Sequence, residues 1–73
     1  MKLCDAEKGK AYKIQSIGLR SEVTRRLEML GMSNGTELLL LEKKRNGPVI
    51  VKFRSTRFAL GKAFAEGIEV SDK

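Results

Sequence analysis

The chain has 73 residues, 41% of them hydrophobic, with one cysteine, no histidine, no tryptophan and a formal charge of +6 from fifteen Lys and Arg against nine Asp and Glu. That length fits one domain, 1–73, with one small core, and leaves too little chain for a catalytic cleft and its scaffold, so the protein is not expected to be an enzyme. Cys4 has no second thiol and no imidazole beside it, which excludes an intrachain disulfide and a His/Cys metal site and fits a reducing cytoplasm.

At the start of the chain, Lys2, Asp5, Glu7 and Lys8 stand where a signal peptide needs an apolar stretch, and no later run approaches the ~20 apolar residues of a membrane span. Localisation in the cytoplasm is expected. Cys4 beside Leu3 reads as a small semi-buried apolar residue, and Asp5 and Glu7 as solvated acids.

Between Gly9 and Gly18 the chain alternates with a two-residue period, which predicts a strand with Tyr12, Ile14 and Ser16 on one side and Lys13, Gln15 and Ile17 on the other. A helix is predicted from Glu22 to Leu30. Ser21 offers a capping oxygen, Glu22 suits the first turn, and Val23, Leu27 and Leu30 recur at core-facing helical spacing. Gly31 then serves as the left-handed stop, with Met32 folding back onto Leu27. At ~1.5 Å per residue such a helix has under three turns and must dock on something apolar.

After the Ser33-Asn34-Gly35 turn, residues 36–44 contain four successive leucines, whose composition favours helix. Context favours strand. Asn46-Gly47 separates this run from the alternating Pro48-Val49-Ile50-Val51-Lys52-Phe53-Arg54, and an Asn-Gly pair so placed is a hairpin signal, with Pro48 tolerable at the strand start. Ser55-Thr56 reads as a turn before a short strand Arg57–Leu60. A helical turn at 62–65 and a strand at 67–70 follow, and Ser71-Asp72-Lys73 reads as a frayed end. Five short strands and one helix inserted after the first predict a mainly β, closed or nearly closed barrel.

The run Arg26-Leu27-Glu28-Met29-Leu30-Gly31-Met32-Ser33-Asn34-Gly35 resembles the signature of the ferrous iron transport protein A (FeoA) family. Gly9, Tyr12 and Ile14 are similar to that family's opening strand, Gly47-Pro48-Val49 to its hairpin, and Phe58-Ala59-Leu60-Gly61 with Ala65, Ile68 and Val70 to its ending. The same order of motifs occurs in the SH3-like C-terminal domain of iron-dependent repressors. Where the family often has a turn glycine, this chain has Ser55-Thr56. The resemblance implies a small SH3-like barrel that assists FeoB, the large membrane GTPase importing ferrous iron, by docking on its cytoplasmic part. It implies no metal or cofactor in this chain.

The residues carry no rival chemistry of comparable weight. Gly31-Met32-Ser33-Asn34-Gly35 lacks the lysine and hydroxyl of a phosphate loop. One tyrosine and no tryptophan make a poor groove for proline-rich peptides. The stretch from Lys43 to Ala65 has no acid and seven bases, namely Lys43, Lys44, Arg45, Lys52, Arg54, Arg57 and Lys62. It raises nucleic-acid binding through residues 43–62 as the alternative function. Yet the phenylalanines are accounted for as core, and a basic patch alone binds weakly and without regard to sequence.

Candidate partner-binding residues are therefore surface ones. Arg25 and Arg26 project outward beside Glu22 and Met29, which is either an interface or an ordinary solvated helix face; Met32 is grouped with them. Alternation sends Leu38 and Leu40 one way and Leu39 and Leu41 the other. The second pair needs a cover, from the helix first, otherwise from a partner or a second copy in a weak homodimer.

Overall fold

A computed structural model describes residues 1–72 of the chain. Its strands are β1 Ala11–Ile17, β2 Glu37–Lys43, β3 Val49–Phe53, β4 Thr56–Leu60 and β5 Ile68–Asp72, with helices α1 Ser21–Met29 after β1 and α2 Lys62–Glu66 before β5, and a 3-10 turn at Leu3–Asp5. All pairings are antiparallel in the order β4-β3-β2-β1-β5. The leucine-rich 36–44 segment is thus a strand. Its neighbours decide this: Leu39 lies opposite both Ala11 and Lys52, so β2 sits inside the sheet with hydrogen-bonding partners on either side.

The core lies on the concave side of the curled sheet, where Tyr12, Ile14, Leu38, Leu40, Val49, Val51, Ile68 and Val70 are each at most 3% exposed. Leu3, Ala6, Met32 and Ala65 close it from the connecting segments. Tyr12 keeps its hydroxyl satisfied at the margin by accepting the Glu7 N–H at 2.8 Å.

Two irregularities turn the sheet and revise the simple alternation. In β1, Ile14 faces Val70 but Ser16 faces Glu69 and Ile17 faces Ile68, so Gln15 is an extra, bulged residue. The bulge swaps the faces: Ser16 is exposed, and Ile17, expected outside, packs against the core. In β2, Leu40 faces Val51 and Glu42 faces Ile50, leaving Leu41 as the extra residue. Beyond it Lys43 points back under the core end and its Nζ donates to the Ala6 carbonyl at 3.1 Å.

The two hairpins differ from the expected turns. Lys44 N–H to Pro48 C=O (3.1 Å) and Gly47 N–H to Lys44 C=O (3.1 Å) close the first around Arg45, Asn46 and Gly47, with Asn46 as the left-handed residue at φ 56°. The second turn is Arg54-Ser55 and not Ser55-Thr56, because Thr56 already pairs with Phe53. Arg54 (φ 53°) and Ser55 (φ 62°) are both left-handed, the geometry of a two-residue type I′ turn. Ser71 and Asp72, expected to fray, pair with Lys13 and Tyr12 and extend β5. The Lys73 end of that expectation lies outside the described residues.

Candidate protein-docking face

Helix α1 forms because residues 21–29 contain neither Gly nor Pro and place Val23 and Leu27 on one side. Leu27 is buried and Val23 half-buried against the core. The start differs from the sequence expectation. Arg20 occupies the cap position without a side-chain bond, Ser21 is the first helical residue, and Thr24 N–H bonds the Arg20 carbonyl at 2.9 Å. Thr24 also donates its hydroxyl to the Leu19 carbonyl at 3.2 Å.

The end follows the expectation. Gly31 is left-handed at φ 99°, its N–H bonds the Glu28 carbonyl, and Met32 N–H returns to the Leu27 carbonyl at 2.9 Å. This pair of bonds is a Schellman cap, and it drives Met32 into the core beside Leu27.

The opposite side of α1 is open. Glu22 lies three and four residues before Arg25 and Arg26, which lie four and three before Met29, so the four share one face of the helix, and all are exposed. Met29 is 83% exposed, and Leu30, expected in the core, is 48% exposed. Leu30 turns outward because the chain leaves the helix there: it is the capping residue, and Met32 takes the core position. Two adjacent apolar side chains therefore stand in water at the end of a helix that carries Arg25 and Arg26. The Arg54 guanidinium lies against Gly31 and adds a third cation to this end.

Met32, grouped with the face from sequence, is fully buried and offers a partner no surface. Leu39 and Leu41 are half-buried on the convex side of the sheet, away from Leu38 and Leu40. Leu39 floors a shallow groove of about 320 Å³ with Ala11, rimmed by Glu37, Lys52 and Arg54. No residue of α1 lines that groove, so the helix is not its lid. Sequence reasoning missed Leu30 and also Phe64, which is 38% exposed although it was expected in the core. Neither is distinguishable by spacing alone from a core residue.

The basic residues are dispersed along the hairpins. Lys44 and Arg45 lie in the β2–β3 turn, Lys52 and Arg57 face each other across β3 and β4, and Lys62 starts α2. Among the described residues no three His, Cys, Asp or Glu side chains converge as metal ligands would. Burial first, then the Asp5 and Glu66 carboxylates, push the Cys4 thiol above its ordinary range, against a smaller opposing effect of Lys2. That favours the unreactive protonated form. No helix among the described residues is long and apolar enough to cross a membrane.

A family model for the FeoA domain matches residues 1–72. The FeoA protein from Chlorobium tepidum is similar in structure, with a TM-score of 0.89 and 30% identity over 99% of this chain and 70% of that one. A crystallised iron uptake regulatory protein (FeoA) superposes with a TM-score of 0.89 at 25% identity, over 100% of this chain and 97% of its own. A manganese-dependent transcriptional repressor gives a TM-score of 0.89 at 21% identity, this chain spanning 41% of its length, and shares the fold alone. No curated protein matches significantly. The mainly β, SH3-like architecture expected from sequence is common to these structures.

Proposed function

Because the chain belongs to the FeoA domain family, we propose that it is a non-enzymatic accessory protein of ferrous iron uptake. In this reading residues 1–73 work as one SH3-like unit in the cytoplasm, docking on the cytoplasmic part of the FeoB membrane GTPase through the exposed face of α1. Iron transport and GTP hydrolysis belong to that partner, and this chain contributes a surface.

The observation that carries the reading is the Met29–Leu30 pair, 83% and 48% exposed, bordered by Arg25, Arg26 and Arg54. An adaptable apolar centre with an arginine rim is the composition of a protein interface, where Met fits irregular surfaces and Arg makes bidentate contacts to carboxylates. A core of this size buries only roughly 60% of the unfolded surface, so large apolar groups left exposed forgo a burial that a partner can supply.

The test is calorimetric titration of the protein into the purified cytoplasmic part of FeoB. Arg26→Glu is expected to leave the fold intact, since an exposed helical position rarely costs more than ~0.5 kcal/mol, and to weaken binding about tenfold or more. Undiminished binding by Arg26→Glu and by Met29→Ser would remove this face from the interface.

A further inference from the structure

The two ends of the sheet are treated differently by the chain. At the β5 end, the Met1 nitrogen donates to the Val70 carbonyl at 2.9 Å, Val70 N–H bonds the Met1 carbonyl at 2.7 Å, and Lys2 bridges to Glu69. At the other end β4 is the terminal strand, and among the described residues β3 is its one strand neighbour. The two-residue turn makes Phe53 and Thr56 a hydrogen-bonded pair, so Val51 with Phe58 and Val49 with Leu60 are also such pairs. The intervening residues, Arg57 and Ala59, therefore direct their N–H and C=O groups away from β3 into the open side. Both are exposed.

Charge selects what such an edge accepts. Arg57 lies opposite Lys52 in register, Arg54 precedes the strand and Lys62 follows it, with no acidic residue between Lys43 and Ala65. None of the ion pairs among the described residues involves these four cations. A second copy is a poor occupant, because it would bring another Arg57 and Lys52 onto the same face of two chains that each carry +6. Nucleic acid is a poor one too, since the edge alternates donors with carbonyl acceptors, and its aromatic residue, Phe58, is half-buried and stacked on Phe53 at 4.8 Å.

We propose that β4 receives an extended acidic segment of a partner protein as a sixth strand. The backbone of Arg57 and Ala59 supplies the ladder, and Lys52 and Arg57 supply the charge. The segment carries an acid opposite Arg57 and, two residues away on the same face, an apolar side chain over Ala59, whose small size leaves room beside Ile50. The same cations that bar like-charged edges thus discriminate in favour of an acidic one. This inference does not depend on FeoB or on α1.

The experiment uses the whole ¹⁵N-labelled protein and a blocked heptapeptide, Glu-Thr-Glu-Thr-Val-Thr-Glu, at low and high salt, with oligothymidylate as a parallel probe. The expected result is slowed hydrogen exchange at the Arg57 and Ala59 amides, weakened by salt and lost with Arg57→Glu. Ala59→Pro removes a donor that faces away from β3, so the ladder to β3 is kept and peptide affinity falls about fivefold or more. The proposal is overturned if those two amides stay unprotected at saturating peptide, if the peptide shifts α1 instead, or if oligothymidylate protects β4 equally. Exchange on the unsubstituted protein decides the matter even where Ala59→Pro fails to fold.

Discussion

The guanidinium of Arg54 lies directly over Gly31: a Cβ on residue 31 would sit 2.8 Å from its Nη1 and 2.9 Å from its Cζ. Gly31 ends α1 and Arg54 begins the β3–β4 turn, so this contact joins the helix to the far hairpin. It also sets a fixed positive charge at the C-terminal end of a helix, where the free carbonyls carry partial negative charge.

Gly31→Ala is expected to cost about 1–2 kcal/mol for the left-handed backbone, with a further loss because Arg54 must move. Urea unfolding measures the total. The double variant Gly31→Ala with Arg54→Ala should lose less than the sum of the two single changes, since the clash and the displaced contact are one event. Strict additivity would mean that the two residues do not touch.

Ser55→Gly should stabilise the protein. Ser55 is held at φ 62° in a turn whose two central residues are both left-handed, a conformation glycine adopts without steric cost. Against the greater freedom of glycine in the unfolded chain, the expected net gain is roughly 0.5 kcal/mol. A lower urea midpoint than the parent would contradict the turn geometry.

The methionines separate surface from core. Met32 is fully buried, so Met32→Ala should destabilise by about 2–5 kcal/mol, enough to unfold a domain this small at moderate temperature. Met29→Ala should stay within ~0.5 kcal/mol while weakening the proposed docking on FeoB. Thermal melts of the two variants side by side give the comparison.

Cys4 provides a pH-dependent readout. Its thiol is raised in the folded state, chiefly by burial, so the native protein holds the proton to higher pH than the unfolded chain does. Stability from this group is complete below the unfolded thiol value of about 8.5 and declines as pH rises from there through the folded value. Alkylation of the native protein at neutral pH should accordingly be slower than that of a free thiol and should accelerate with pH. Rapid labelling at pH 7 would refute the raised value.

Much of this was readable from local signals. Gly31 followed by Met32 announced the helix stop, and the Asn46-Gly47 pair outweighed the helical composition of four leucines. The exposed arc Glu22, Arg25, Arg26 and Met29 also followed from spacing. The misreadings share a cause. Ser16 and Ile17 exchanged faces at the Gln15 bulge, Leu30 yielded its core place to Met32, and Phe64 found no cover, each outcome depending on what a distant segment presents.

From its own sequence this chain determined the kind and order of its elements, its excess of positive charge and its lack of imidazole, because periodicity, turn residues and composition act within a few residues. Tertiary structure alone decided that Leu30 and Phe64 stay in water and which sheet edge stays open. Met1 and Lys2 cover β5, while nothing pairs the outward amides of Arg57 and Ala59 on β4 among the described residues. Strand pairing is a long-range choice: a backbone donor is satisfied or left free according to which segment folding brings alongside it, and no local pattern encodes that neighbour.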